Sequence, residues 1–253
     1  MIILTSGITG SSVLSGFLAR SGYWAGDTTY KKEYDTFEND ELIKLNRRLF
    51  QQAGYTGNHL KEFSTDAIAR LASLRANHDD LPYRQFLTKC SERGPWVWKD
   101  PRLWLTIYFW KNLLNLDECR FILLTRDLAQ GWVSLTLRRD IRSYGYFKYY
   151  ETAVQNSILS FLKGNNLPYA HITYDNLVAQ PETTIRNLNL HLESDLKLSD
   201  LEGVYQGPLH KSPRKSVVDC AKAGLIYLKN HSERLDTAQF GPGFATGLTR
   251  YEI

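Results

Sequence analysis

Four short apolar runs, separated by longer segments of helical period, constrain the fold of this chain more than any other feature. The runs cover residues 2–5, 96–98, 121–125 and 170–174. Short runs that are apolar throughout are typical of strands buried on both faces, as in parallel sheets. Helical segments between such strands are typical of right-handed βαβ crossovers. The pattern therefore predicts an α/β protein in three layers, with a central parallel sheet flanked by helices.

Apolar residues recur at helical spacing in four segments, residues 11–19, 65–77, 103–116 and 181–192. Residues 24–64 are aromatic and polar with weak periodicity, and we expect them to form a partly helical cap over one edge of the sheet. Residues 195–253 carry the least readable pattern. No repeat or clear linker divides the sequence, so we expect residues 1–253 to form a single domain.

The composition narrows the class of protein. A hydrophobic fraction of 43% is enough for a large core, which argues against disorder. A net charge of +4 without a Lys/Arg-rich stripe argues against nucleic acid as a partner. The three cysteines have no metal-site spacing and favour a reducing compartment. The first residues do not resemble a signal peptide, and no apolar run is long enough to span a membrane. We expect a cytoplasmic protein that is not an integral membrane protein and has no metal site.

The turn after the first strand has the composition of an anion-binding loop. Its sequence is Ser-Gly-Ile-Thr-Gly-Ser-Ser, and its candidate binding residues are Gly7, Thr9, Gly10, Ser11 and Ser12. Glycines let the backbone turn closely, and N–H groups and hydroxyls at a helix start can bind an anion. An ordinary strand-to-helix turn with a serine cap would also explain these residues. The loop lacks the lysine and the spacing of the nucleotide-triphosphate loop.

Charged residues also follow the second apolar run. Lys99, Asp100 and Arg102 come directly after it, with Pro101 between them. Charges beyond a buried strand are costly unless they pair with one another or with a ligand. Two interpretations stay open: a structural pair in which Asp100 caps a helix that begins at Pro101, and a site in which Lys99 faces a ligand.

The third strand end carries Arg126, and Ser134 follows eight residues later in a helical pattern. Ligands bind open α/β sheets at the carboxyl ends of the strands, and an arginine fork suits a phosphate there. A capping Asp127 with Arg126 in a surface ion pair is the structural alternative. Three anion-competent turns at three strand ends favour a nucleotide-phosphate site.

Together these segments resemble the sulfotransferases that use 3′-phosphoadenosine-5′-phosphosulfate (PAPS), specifically their bacterial branch. Thr9-Gly10-Ser11-Ser12 is similar to the loop that holds the 5′-phosphosulfate, and Arg126 with Ser134 is similar to the pair that binds the 3′-phosphate. The resemblance extends along residues 1–192 to the Trp-x-Trp-Lys-Asp-Pro-Arg-Leu run, to the segment Tyr-Asp-Asn-Leu-Val-Ala-Gln-Pro that starts at Tyr174, and to Phe37-Glu38-Asn39.

The resemblance implies a P-loop-type fold and an enzyme that transfers a sulfuryl group from PAPS, without a metal, to a hydroxyl or amine of a small-molecule, sugar or lipid-like acceptor. It implies Glu38 as the base that takes the acceptor's proton, with Asp100 and His59 as the other candidates. Glu38 could equally belong to the first turn of a helix over residues 39–50. Tyr174 could pack on the adenine or simply lie in the core. Arg214, in a basic loop at residues 211–215, could close over the 3′-phosphate or lie in solvent.

One position departs from the family pattern. Ile8 stands where relatives carry the basic residue that neutralises the transferring sulfuryl group. Lys99 is our first choice to supply that charge, and Arg138, Arg139, Lys211 and Arg214 are the others. Two other functions stay open: a catalytically silent PAP- or PAPS-binding protein, where PAP is adenosine 3′,5′-bisphosphate, and a phosphotransferase related to P-loop nucleotide kinases.

Overall fold

The computed structural model describes residues 1–31, 35–61, 65–74, 80–205 and 216–236. The strands in this part of the chain are β1 (Ile2–Leu4), β2 (Thr29–Lys31), β3 (Asp35–Asn39), β4 (Trp98–Lys99), β5 (Phe121–Thr125) and β6 (Tyr169–Thr173). The helices are α1 (Ser11–Arg20), α2 (Asp40–Gln52), α3 (Thr65–Ser73), α4 (Leu81–Glu92), α5 (Leu103–Trp110), α6 (Leu128–Leu137), α7 (Tyr144–Gly164), α8 (Tyr174–Ala179), α9 (Pro181–Leu192), α10 (Leu198–Glu202) and α11 (Val217–Lys229).

The predicted central sheet is confirmed. Four parallel strands lie in the order β4, β1, β5, β6, so β1 and β5 are its inner strands. Their apolar runs are buried because both faces of the sheet are covered. Ile2 and Leu4 face one hydrophobic core, and Ile3 between them faces the other. This alternation makes the three-layer architecture.

The larger core is rich in aromatic rings. Trp98 on β4 packs 4.8 Å from Trp110 of α5 and 5.4 Å from Phe86 of α4, measured between ring centroids. α5 is buried along its whole length, which explains its uniformly apolar sequence. The second core lies under α1, α9 and α10.

The predicted elements differ from the observed ones mainly at their ends. The second strand covers Trp98–Lys99 rather than 96–98, and the predicted helix over 103–116 ends at Trp110. Residues 101 and 102 form a turn, so the helix after Asp100 begins at Leu103 and not at Pro101. Tyr174 is the first residue of α8 rather than the last of a strand. The helix predicted at 181–192 has the observed bounds.

The predicted cap contains a two-stranded antiparallel sheet, β2 and β3, which leads into α2. Asn39 ends β3 and caps α2, since its side chain accepts hydrogen bonds from the backbone N–H groups of Glu41 and Leu42. Glu38 therefore lies in β3, before the helix. No helix in the described ranges has both the length and the apolar character that crossing a membrane requires.

Candidate functional site

The loop between β1 and α1 folds tightly at the carboxyl end of the sheet. Gly7, Ile8 and Gly10 all have positive φ angles, of 89°, 56° and 82°. The hydroxyls of Thr5 and Thr9 lie 2.5 Å apart, which closes the loop on itself. Ser11 and Ser12 follow as the first residues of α1. A loop of this kind brings backbone groups close to the start of a helix, where an anion is favoured.

Gly10 is required where it stands because the ring of Tyr174 lies directly on it. A Cβ atom at Gly10 would be 2.2 Å from Cδ2 of Tyr174, which no side chain could tolerate. Gly7 is covered less closely, and a Cβ there would be 3.1 Å from Leu60 of the cap. The loop is thus held between α8 on one side and the cap on the other.

Lys99 and Glu38 form a buried ion pair beside this loop. The Lys99 ammonium donates to Oε1 of Glu38, and it lies 3.4 Å from the Ser12 hydroxyl. Their side chains are only 4% and 12% exposed, so the pair is largely shielded from water. The structure therefore brings together three residues that the sequence predicted separately, and it places a cation against a loop that has no basic residue of its own from Ser6 to Ser12.

Contacts between β3 and α1 put Glu38 in this place. The Ser15 hydroxyl of α1 donates a hydrogen bond to the backbone oxygen of Phe37 at 2.8 Å. The ring of Phe37 lies over Gly16, where an added Cβ would be 2.6 Å from it. Because Gly16 has no side chain, β3 can approach α1 closely, and Glu38 reaches Lys99.

Asp100 is fully buried and its carboxylate is held by two neighbours. Asn46 donates to Oδ2 at 2.8 Å, and Arg102 donates to Oδ1 from both its backbone N–H and its guanidinium, at 3.0 and 2.8 Å. The Asp100–Arg102 pair that the sequence offered as one interpretation is therefore present, but the helix begins at Leu103 rather than at Pro101. A catalytic role for Asp100 stays a prediction, but its bonds fit a support for the turn that carries Lys99.

His59, another candidate base, lies near Arg102. Burial and then the charge of Arg102 lower the pKa of His59 to about 4, so its imidazole is neutral at neutral pH. Its Nε2 atom is buried and has no hydrogen-bond partner within the described part of the chain. A neutral imidazole can still accept a proton, so a role for His59 as the base stays a prediction.

Arg126 stands at the tip of β5, as predicted. Its guanidinium donates to the backbone oxygen of Ile8 at 3.4 Å and lies 5.1 Å from the centroid of the Tyr174 ring. Arg126 thus joins the β1–α1 loop to α8. Tyr174 is 5% exposed and packs between Gly10 and Arg126, so a contact with adenine stays a prediction.

The start of α6 is fixed by carboxylates. Asp127 caps it, accepting from the Gln130 N–H at 3.0 Å. Asp175 of α8 accepts from the Asp127 N–H at 2.7 Å and from the Gln130 side chain. Ser134 lies deeper in α6 and is buried. The capping role proposed for Asp127 is confirmed, whereas the joint binding of a phosphate by Arg126 and Ser134 stays a prediction.

The other candidate cations are less well placed. Arg138 and Arg139 follow the carboxyl end of α6, whereas the loop lies near its start. Lys211, Arg214 and the rest of the basic loop fall outside the described residues.

A carboxyl group that the sequence analysis missed also reaches the loop. Glu151 of α7 accepts a hydrogen bond from the Ser6 hydroxyl at 2.5 Å. Burial raises the pKa of Glu151 to about 7, although Ser6 and Arg142 favour its charged form. Glu151 is the one acidic residue in the 21-residue sequence of α7, among tyrosines and apolar residues, and that isolation is the signal that could have found it.

α7 also holds the cap. The hydroxyl of Tyr146 donates to the backbone oxygen of Lys61, and that of Tyr150 to the backbone oxygen of His59, both at 2.6 Å. The same segment of the cap carries Leu60, which covers Gly7. α7 therefore contacts the loop and its cover at once.

Two cavities, of about 470 Å³ and about 340 Å³, lie elsewhere on the described surface. The first lies along α9, and the second lies around Met1 and Trp96 at the amino end of the sheet. Neither is lined by a predicted site residue, and ligands of such sheets bind at the opposite end.

No known family model matches this sequence, and no curated protein matches it. Among solved structures, the chain is similar to the sulfotransferase domain of the olefin synthase from Synechococcus PCC 7002. The two share 19% sequence identity, with a TM-score of 0.52, over 99% of this chain and 91% of that one. At this identity the likeness shows the fold: the chain has the α/β fold of a sulfotransferase domain.

Proposed function

We propose that this protein is a sulfotransferase that moves a sulfuryl group from PAPS to a hydroxyl or amine of a small-molecule, sugar or lipid-like acceptor. The observation that carries the proposal is the contact of Lys99 with both Ser12 and Glu38. It puts a buried cation and a carboxylate together at the strand-end loop, within the fold of a sulfotransferase domain. A cytoplasmic location belongs to the same proposal.

The residues present fit a phosphosulfate donor. The tight loop at Gly7 to Ser12 would hold the 5′ end, and Lys99 would supply the positive charge that Ile8 does not. Arg126 and Ser134 would hold the 3′-phosphate, with Tyr174 beside the nucleoside. PAPS supplies the sulfuryl group, and we assign no metal to the reaction.

Each member of the buried pair has a distinct task in this proposal. Lys99 stabilises the negative charge that develops on the transferring group, because its charge is shielded from water and already oriented. Glu38 accepts the proton of the acceptor's hydroxyl or amine as the new bond to sulfur forms and the bond from sulfur to the 5′-phosphate oxygen of PAPS breaks, which releases PAP. In the resting protein the two charges neutralise each other, so neither is buried without a partner.

The first prediction concerns Glu38. Glu38→Gln removes the base and leaves a side chain of the same shape, so turnover should fall about 100-fold or more with little change in PAP affinity. PAP release from PAPS, with a panel of alcohol and amine acceptors and no Mg²⁺, measures turnover, and calorimetry measures PAP binding. Glu41→Gln is the matched control, since Glu41 pairs with Lys89 rather than Lys99.

Unchanged turnover in Glu38→Gln would remove the base assignment. PAP binding without sulfate transfer to any acceptor would favour the catalytically silent binding protein instead. Activity that strictly requires Mg²⁺ and a nucleoside triphosphate would favour a kinase-like phosphotransferase.

A further inference from the structure

Ser6 and Glu151 form a buried contact at the base of the candidate nucleotide loop. Ser6 is 5% exposed and Glu151 is 7% exposed, and their oxygen atoms lie 2.5 Å apart. Ser6 stands directly before Gly7, where the loop takes its first positive φ angle. A change in this contact therefore acts on the loop and not on a remote surface.

Among the described residues, three groups act on Glu151: the hydrogen-bonding hydroxyl of Ser6 in the loop, the charged guanidinium of Arg142 in the segment before α7, and the titratable phenol of Tyr150 on α7 itself. The Arg142 guanidinium is bound to Asp140 at 2.8 Å and lies 5.5 Å from the centroid of the Tyr150 ring. Because Arg142 already has a carboxylate partner, it only partly offsets the cost of a buried charge on Glu151, whose pKa is raised to about 7.

The protonation state of Glu151 decides what the Ser6 hydroxyl can do. A serine hydroxyl has one hydrogen, and a carboxylate can only accept hydrogen bonds. Beside a charged Glu151, the Ser6 hydrogen is therefore committed to the carboxylate. A protonated Glu151 can instead donate to the Ser6 oxygen, which frees the Ser6 hydrogen for another acceptor. The Ser6 hydroxyl also lies 3.4 Å from the Gly7 backbone oxygen, so it can reach an acceptor on the loop side.

A phosphate bound near the loop would favour the protonated form of Glu151 further, because a nearby negative charge disfavours a second one. Glu151 is 7% exposed, so water screens this repulsion little. Protonation of the carboxylate removes the repulsion.

We propose that Glu151 is a positioning residue of the loop, which takes up a proton from solvent when the anionic nucleotide binds and thereby turns Ser6 into a hydrogen-bond donor toward the ligand. This inference rests on the proposed nucleotide site. It assigns Glu151 no contact with the acceptor and no part in the proton transfer at Glu38.

The test is calorimetry of PAP binding to the full chain between about pH 6 and pH 9, in pairs of buffers that differ in ionisation enthalpy. Wild-type affinity should fall by up to about tenfold per pH unit above neutrality, with net proton uptake, because binding and protonation are linked. In Glu151→Gln the amide N–H can donate to Ser6 at every pH. This variant should therefore lose most of the proton uptake and bind PAP more tightly than the wild type at about pH 8.5.

The wild-type and Glu151→Gln titrations share the ionisation of PAP itself, so their difference isolates Glu151. Equal pH slopes, or weaker binding by Glu151→Gln at every pH, would overturn the inference and leave the proposed function standing. A wild-type protein that binds no PAP at any pH would overturn both. Ser6→Ala tests the same link where Glu151→Gln does not fold: it should weaken PAP binding near pH 6, where the Ser6 hydroxyl is free to donate to the ligand, and unchanged affinity at that pH would contradict the proposal.

Discussion

Arg126 is the residue on which the nucleotide assignment depends most. Its guanidinium contacts the loop at the Ile8 carbonyl and the α8 ring at Tyr174, so it stands between the two segments proposed to enclose the nucleotide. Arginine suits this position because its planar fork can bind a phosphate and stack on an aromatic ring at the same time.

Arg126→Ala should weaken PAP binding by about tenfold to a hundredfold, because a charged hydrogen bond to phosphate contributes on the order of 1.5–3 kcal/mol. Calorimetry with PAP measures the change. Arg120→Ala is the matched control: Arg120 precedes the same strand at its opposite end and pairs only loosely with Glu193, at 3.9 Å. Equal affinity in the wild type and Arg126→Ala would remove Arg126 from the site.

At the scale of elements, the contact between the β1–α1 loop and α8 sets the shape of the site. Two features of this contact require glycine at position 10: the φ angle of 82° and the ring of Tyr174 above it both disfavour a side chain. Gly22, at the end of α1, also has a positive φ angle, of 97°, but an added Cβ there meets no atom within 4 Å. A substitution at Gly22 therefore introduces backbone strain alone, whereas one at Gly10 introduces both strain and a steric clash.

Gly10→Ala should lower the free energy of unfolding by about 2–4 kcal/mol, since it adds a clash to the strain of a positive φ angle. Gly22→Ala should lower it by about 1 kcal/mol, since it adds the strain alone. Urea denaturation of both variants gives the comparison. Equal losses would mean that Tyr174 moves aside freely and does not fix the loop.

The sequence predicted the elements of the sheet better than the contacts between them. β5 and α9 have the predicted bounds because the apolar period changes sharply at their ends. The pairing of Glu38 with Lys99 could not be predicted from the sequence, because it depends on how β3 packs against α1 through Phe37 and Gly16. Glu151 was missed because α7 mixes tyrosines with apolar residues and has no clear polar face.

At the scale of the whole molecule, one buried carboxyl links stability to pH. The pKa of Glu151 is raised from 4.5 to about 7 in the folded protein. Between these values the folded state binds more protons than the unfolded state. The free energy of unfolding therefore falls as pH rises through this window.

Glu151→Gln should remove this dependence. Relative to the wild type, the variant should gain roughly 3 kcal/mol of stability as the pH rises from about 4 to about 8. Urea denaturation across that range measures the gain. Glu92→Gln, a change at an exposed position of α4, controls for the loss of one charge. A constant difference between the wild type and Glu151→Gln would mean that Glu151 is not protonated in the folded protein.

The contact between Ser6 and Glu151 joins residues that are far apart in the sequence, so it also bears on when the site forms during folding. The two residues are 145 positions apart, and Lys99 is 61 positions from Glu38. Parallel strands and distant pairs form slowly, because a large loop must close before any contact rewards it. During synthesis, β1 has no strand to pair with until β4 and β5 have been made. Its loop lacks the contact with Glu151 until α7 has also been made. The proposed nucleotide could therefore stabilise only the last stage of folding, and the earlier stages depend on the apolar packing on the two faces of the sheet.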